Sequence, residues 1–384
     1  MRVQLTRASG RALVARIPLV VVLALVFAVL AVVRQGIARA DGTVEVRGAY
    51  YKERSTRVEQ PMIDAAFDAG DTGTITAHFL VDSITSASVA TGAVNGQFTE
   101  RRYEGGLGYT RSLAGSVKVG ADFRYSTESD YFSTWIDLHG EVALFRQNLR
   151  LRLLLGHSFD TITNGVAVDQ GSLGLPRLEE SLGVSLISVG ATHLLAPNLV
   201  AALGYDLGYL DGYQANPYRT VPGGPQPVPE RAPRQRTRHA ISAEIRGFLP
   251  ATGTTGIATY RLYADDWGIV AHTPEVRVVQ QIVPGLDARV RYRYYTQSKA
   301  DFYEPVYTQM QLDDPTVFVT EDEKLSAFQT HTLGGQLSIA LSTFGLSGSV
   351  GGTRLDIIVD RLWQTTTFGD AWVGQLGLSV PFEY

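Results

Sequence analysis

The 384-residue chain contains no cysteine. Disulfides, thiolate metal sites and lipoprotein acylation are therefore excluded. Beyond residue 33 there is no long apolar run either. A membrane-spanning helix needs about 20 consecutive apolar residues, so the main body is not a helical membrane protein. Positive charge is scarce: of 34 Lys and Arg, six lie in the first forty residues, leaving 28 against 38 Asp and Glu and a net charge of −10. That balance gives no footing for a phosphate backbone, so no nucleic-acid partner is expected. Catalytic signatures are missing too. After residue 40 no Gly-x-Ser-x-Gly elbow occurs. Gly345-Leu346-Ser347-Gly348 comes near one, but on a segment that reads as a strand, with Ser347 as lumenal filler. No enzyme, catalytic residue, cofactor or metal site is expected.

Residues 1–40 have a readable order. Arg2, Arg7, Arg11 and Arg16 precede an apolar run from Leu19 to Val33, and Ala38-Arg39-Ala40 follows. Basic, apolar and small-residue regions in this sequence make a secretory signal peptide. The predicted organisation is a signal peptide over 1–40, cleaved before Asp41, and one β-barrel over 41–384.

The body alternates with period two. Val117, Val119, Ala121, Phe123 and Tyr125 interleave with Lys118, Asp122 and Arg124. Leu149, Leu151, Leu153 and Leu155 interleave with Arg150 and Arg152. Leu286, Ala288, Val290, Tyr292 and Tyr294 interleave with Asp287, Arg289, Arg291 and Arg293. Such segments present one apolar and one charged face, and ten or more residues suffice to cross a bilayer at a tilt. Strands are predicted at 43–53, 56–69, 73–84, 97–111, 115–127, 131–145, 149–163, 179–195, 199–213, 236–249, 256–265, 273–283, 286–299, 326–342, 345–361 and 369–384. The fold class is thus all-β, a closed antiparallel transmembrane barrel of about 16 strands. A merged or split strand pair would make it 14 or 18.

The joins alternate in length. Tight ones include Asp71-Thr72-Gly73, Ala196-Pro197-Asn198, Pro284-Gly285 and Thr343-Phe344; the long segments 85–96, 164–178, 214–235, 266–272 and 300–325 all fall in the other set. Outer-membrane barrels have short periplasmic turns and long outside loops, so both termini are predicted periplasmic. In the last segment Trp372, Gly374, Leu376, Leu378, Val380, Phe382 and Tyr384 share a face. It resembles the C-terminal signal shown to the barrel-assembly machinery, an expected partner along with outer-membrane lipid and small solutes. Pro381 lacks a ladder N–H, so the final residues are expected to pair on one side.

Several stretches resemble an uncharacterised family of bacterial outer-membrane barrels, domain of unknown function three-five-seven-zero. They are Tyr50-Tyr51-Lys52-Glu53 with Arg57-Val58 and Pro61, and Val81-Asp82-Ser83-Ile84-Thr85-Ser86-Ala87-Ser88. Next come Phe248-Leu249-Pro250 with Thr252-Gly253-Thr254, then Asp265-Asp266-Trp267-Gly268-Ile269 with His272-Thr273. The last is Tyr292-Arg293-Tyr294-Tyr295-Thr296-Gln297-Ser298-Lys299-Ala300-Asp301-Phe302-Tyr303, from which Lys299 departs. The resemblance implies localisation and fold but no activity.

By parity, one wall of the lumen carries Glu244, Arg246, Arg261, Asp265, Glu275, Arg277, Asp287, Arg289, Arg291 and Arg293. This reads either as a structural charge ladder or as an electrostatic lining that sorts solutes. Near the outer mouth Asp82, Asp265, Asp266, Trp267, His272, Asp301 and Tyr303 form a possible second site, though without metal-ligand spacing. Trp267 and Tyr303 are expected in the outer aromatic girdle. His139, between Asp137 and Glu141, reads as a hydrogen-bonded lumenal histidine. The proline-rich segment 214–235 is expected to form no strand or helix and to be a mobile external loop. The expected function is a porin-like passive or substrate-selective channel. The rival reading is a non-conducting structural or anchoring barrel that works with a periplasmic or surface partner. A barrel enzyme stands third.

Overall fold

The computed structural model describes residues 41–86, 98–113, 115–164, 177–223 and 228–382. The expected signal peptide and its cleavage site before Asp41, most of the loops 85–96 and 164–178, and Tyr384 lie outside the described residues.

Nine strands lead the chain: β1 (Gly42–Lys52), β2 (Thr56–Ala69), β3 (Gly73–Ser86), β4 (Phe98–Leu113), β5 (Val117–Thr127), β6 (Tyr131–Leu144), β7 (Leu149–Thr163), β8 (Glu179–Ala196) and β9 (Leu199–Gly212). Two short strands, β10 (Thr220–Val221) and β11 (Val228–Pro229), form a separate hairpin. The rest are β12 (Gln235–Leu249), β13 (Thr254–Asp265), β14 (Val270–Val283), β15 (Leu286–Gln297), β16 (Phe328–Ala340), β17 (Arg354–Gln364) and β18 (Ala371–Phe382). Apart from β10 and β11, each strand pairs antiparallel with its sequence neighbours, and β1 closes on β18. The result is a closed barrel of sixteen strands. Closure leaves no unpaired edge, which is what lets backbone polar groups sit in hydrocarbon. No helix among the described residues is long and apolar enough to cross a membrane.

The alternation settles into two faces. Leu107, Leu138, Leu203 and Val290 each expose about 60% of their surface outward. Leucines so exposed in a whole ring would be unstable in water and suit a lipid solvent. On the other face of the sheet, carboxylates and guanidiniums meet. Arg47 bonds Asp64 at 2.5 Å between β1 and β2, and Arg152 bonds Glu141 at 2.6 Å between β7 and β6. Both termini of the barrel lie at the end with the tight turns, together with the longer β16–β17 connection 341–353. The described connections 213–223, 228–234, 266–269 and 298–327 lie at the other end.

Two expectations need correction. The strand foreseen over 345–361 runs instead from Arg354 to Gln364, and Thr343-Phe344 is not a hairpin turn. Residues Leu341–Phe344 form a 3-10 turn and Gly348–Gly352 a short helix, α2, which packs against β18. Gly345 and Gly348 have φ of 81° and 63°, so extended chain cannot continue there despite the apolar alternation. Ser347 is the N-cap of α2 and does not line a strand. Because β17 begins only at Arg354, Val380–Phe382 pair with β1 alone, which accommodates Pro381.

The second correction concerns 214–235. Its described residues hold β10 and β11 and pack against the loop between β15 and β16. A buried cluster of Val221, Tyr307, Leu312 and Val319 joins the two loops.

Candidate functional site

The lumen wall of β12 to β15 is built by register. Arg261 faces Ser242 and Thr273, Arg293 faces Glu275, and Arg291 faces Arg277. The ten residues of the expected wall thus share one face of the sheet, opposite the exposed Val276, Val278, Val290 and Tyr292. Their partners divide them. Arg277 bridges Glu244 at 2.9 Å and Glu275 at 3.0 Å, and Arg246 bonds Glu244 at 2.8 Å. Asp287 lies 3.9 Å from Arg354 of β17. Arg291 passes over Gly334 of β16 to reach Asp360 of β17, with contacts of 2.9 and 2.6 Å. Among the described residues Arg238, Arg261, Arg289 and Arg293 have no carboxylate within ion-pair distance. The Nε atoms of Arg238 and Arg289 are buried without a partner. This leaves a run of uncompensated guanidiniums on a wall whose other charges are tied.

The opposite wall is arranged differently. His78 Nδ1 lies 2.6 Å from Asp64, which also holds Arg47. A recess of about 490 Å³ opens here, lined by Arg47, Asp64, His78, Asp122 and Arg124 among others. His139 Nδ1 sits 3.1 Å from Asp122 and 3.2 Å from Asp137, and Nε2 lies 3.0 Å from Thr110. Asp137 is itself held by the Trp135 indole N–H at 2.8 Å. Asp122, Asp137 and His139 could offer ligand atoms to one metal ion, as could Glu100, Glu128 and Asp130 near the loop-bearing rim. Neither group has sequential spacing that marks it, because each is assembled across strands.

The expected outer-mouth set does not gather. Asp82 lies on β3, with Oδ2 3.4 Å from Arg102. His272 points outward, its Nδ1 2.6 Å from the Tyr260 hydroxyl. Asp266, Trp267 and Asp301 do share a locality, but a structural one. Asp265 Oδ2 accepts from Arg236 at 2.5 Å and from the Tyr263 hydroxyl at 2.7 Å. Its Oδ1 accepts the backbone N–H of Trp267 and of Ile269. The Asp265 side chain is fully buried, so the paired Arg236 is what permits its charge. Arg236 in turn stacks on the Trp267 ring, 4.1 Å from the centroid. Asp301 lies against Gly268, where a Cβ would come 2.2 Å from its Oδ1. Trp267 is only 5% exposed and packs with Phe302 and Tyr303. Trp267 and Tyr303 therefore belong to a loop core and not to a lipid-facing girdle.

Above this turn the long loops form a cap. Arg231 and Val319 exchange backbone hydrogen bonds of 2.9 Å. The Arg231 guanidinium donates to the carbonyls of Val317, Gln311, Leu312 and Asp314, at and just after the end of the short helix α1 (Gln309–Asp313). Helix C-terminal carbonyls lack intrahelical partners, and a cation satisfies them well. Buried Arg219 lies 3.2 Å from both Glu230 and Asp322, which ties one loop to the other. Glu230 also takes the Thr320 hydroxyl. The Tyr218 hydroxyl bonds Asp130 at the β5–β6 turn, so the cap extends along the rim well beyond its own strands. Burial, and then the charge of Asp130, raise the Glu128 carboxyl above its ordinary range. Burial raises Glu321 in the cap.

A family model described as "Protein of unknown function (DUF3570)" matches residues 179–357, from β8 into β17. The resembling stretches at 248–254, 265–273 and 292–303 fall within that span, while those at 50–61 and 81–88 lie outside it. No curated protein matches the chain. Among solved structures it is similar to a bacterial polysaccharide outer membrane secretin, at 8% identity and a TM-score of 0.51, covering 90% of this chain and 99% of that one. It is also similar to a BenF-like porin from Pseudomonas fluorescens Pf-5, at 10% identity and 0.45, covering 90% and 99%. The outer membrane protein OprD from Pseudomonas aeruginosa gives 11% identity and 0.43, covering 90% and 94%. At 8% identity the likeness to the secretin speaks to the fold alone.

Proposed function

We propose that the protein is an outer-membrane channel with both termini periplasmic, whose β12–β15 wall favours small anionic solutes. The observation that carries this reading is the set Arg238, Arg261, Arg289 and Arg293, lumenal and without carboxylate partners among the described residues. Sixteen strands give a lumen wide enough for water. Guanidiniums keep their charge at any physiological pH and bind carboxylate or phosphate in a fork. A ladder of such groups lowers the barrier for anions and raises it for cations. No step of the reading requires catalysis or a cofactor. Reconstitution in a planar bilayer tests it: the expected result is discrete conductance steps with anion preference.

A second reading has its own observation. The cap closed by Arg219, Arg231 and Tyr218 supports a barrel that is shut until the loops part, or a non-conducting anchor with a surface or periplasmic partner. Silent bilayers with correctly folded protein would favour it.

A further inference from the structure

Five of the seven histidines stand on the outward face; three of them repeat one device and a fourth bonds a serine hydroxyl. His239 of β12 accepts from or donates to Tyr205 of β9, with 2.8 Å between Nδ1 and the hydroxyl oxygen. His272 of β14 and Tyr260 of β13 stand at 2.6 Å, and His331 of β16 and Tyr292 of β15 at 2.7 Å. In each pair the tyrosine is offset from the residue opposite the histidine by two positions, away from the loops. Leu207, Leu262 and Tyr294 are the residues directly opposite. His157 of β7 bonds instead the hydroxyl directly opposite it, that of Ser185 of β8, at 2.9 Å. Every barrel hairpin from β7 to β16 that is joined by a loop at the long-loop end carries one imidazole bonded to a hydroxyl of the facing strand. Each histidine lies within six residues of that end of its strand.

The chemistry of the pair orients a donor. A phenol is a better donor than acceptor, and a neutral imidazole nitrogen accepts well. The tautomer that fits places the ring proton on Nε2, and among the described residues nothing bonds that atom in His239, His272 or His331. An N–H left bare in hydrocarbon is costly, so a girdle of them needs an acceptor at that depth. Arg361, on the same face and rim, stacks on Trp372 at 5.0 Å but is paired with Asp370 at 2.9 Å, so the belt's free donors are the imidazoles. We propose that these imidazoles form a belt that binds the phosphate groups of lipid headgroups in the leaflet at the loop-bearing rim. Phosphate oxygens are strong acceptors, and each pair holds its imidazole pre-oriented by the hydroxyl behind it. This rests on the membrane-spanning reading of the barrel and not on conduction through it.

Full-length folded protein in neutral detergent micelles is titrated with short-chain phosphatidic acid, with diacylglycerol of the same chains, or with inorganic phosphate, and thermal unfolding is followed. Only phosphatidic acid should raise the transition temperature of the unaltered protein. The triple variant His239→Phe, His272→Phe, His331→Phe keeps a ring in the girdle and removes the donors. It should bind phosphatidic acid at least about tenfold more weakly. If that variant does not fold, the three single variants replace it, each expected to lose part of the shift. His272→Gln, which retains an N–H donor, should lose less than His272→Phe. Equal shifts in the unaltered and Phe proteins would overturn the proposal. So would no shift in the unaltered protein, or an equal shift with inorganic phosphate.

Discussion

Arg291 and Asp360 stand on strands that are not neighbours, yet they form a two-pronged ion pair across the floor left by Gly334. A Cβ at that glycine would come 1.8 Å from Asp360 Oδ1 and 3.0 Å from Arg291 Nε. The Asp360 side chain is only 2% exposed, so its charge depends on the guanidinium. Gly334→Ala should therefore act like removal of one partner of a buried pair, about 3–5 kcal/mol. Unfolding of the reconstituted barrel in urea measures it. A cost below about 1 kcal/mol would mean that the pair tolerates displacement.

The two faces of the barrel predict opposite responses on one strand. Val119 faces outward and Lys118 and Arg124 face the lumen. Val119→Arg should cost about 2–4 kcal/mol if it lies near the bilayer midplane. Lys118→Ala and Arg124→Ala should fold with little change, because the lumen supplies water in place of the charge. Folding yield into lipid vesicles, read by heat-modifiable gel mobility, separates the outcomes; equal tolerance of all three would refute the assignment of faces.

Much of the barrel was legible in the sequence because its determinants are local. Period-two alternation and turn residues placed β2 at 56–69 and β7 at 149–163 with the observed ends. Parity along a strand is enough to aim Arg261 or Arg289 inward. What alternation could not reveal is which guanidiniums are already occupied. The Arg291–Asp360 bond needs a glycine on the strand between, and Arg236–Asp265 spans one hairpin. The segment 345–353 misled for the converse reason. Its apolar pattern suits a strand, but two left-handed glycines coil it under the barrel end. The cap was hidden because Arg231 meets residues about 80 positions away, a relation that composition does not encode.

Arg231 is the cap's main fastener. Hydrogen bonds to a charged group contribute about 1.5–3 kcal/mol each, and Arg231→Ala removes several at once. The loops should part while the barrel stays folded. Protease added to whole cells should then cut within 298–327 faster than in the unaltered protein. Cutting only after the outer membrane is opened would instead place these loops in the periplasm.

The cap should also loosen as pH rises. Glu128 and Glu321 have carboxyls raised above the ordinary value of 4.5, chiefly by burial. A group raised in the folded state contributes stability that is full below its unfolded value and lost as pH climbs through the folded one. Protease sensitivity of the loops should therefore increase as pH rises above 4.5, and Glu321→Gln should flatten part of that rise. A profile unchanged in the variant would exclude Glu321 as a contributor.

The central claim is that the unpaired guanidiniums, and not the bridged ones, set ion preference. Arg291 is a poor residue to remove, since Asp360 would be left buried and alone. Arg261→Gln, Arg289→Gln and Arg293→Gln together remove three charges and keep polarity. The measurement is the reversal potential of single channels in a potassium chloride gradient, for the unaltered protein and this triple variant. The account predicts a potential on the anion-selective side that moves toward the cation side in the variant. An open channel with the same reversal potential in both proteins would contradict it.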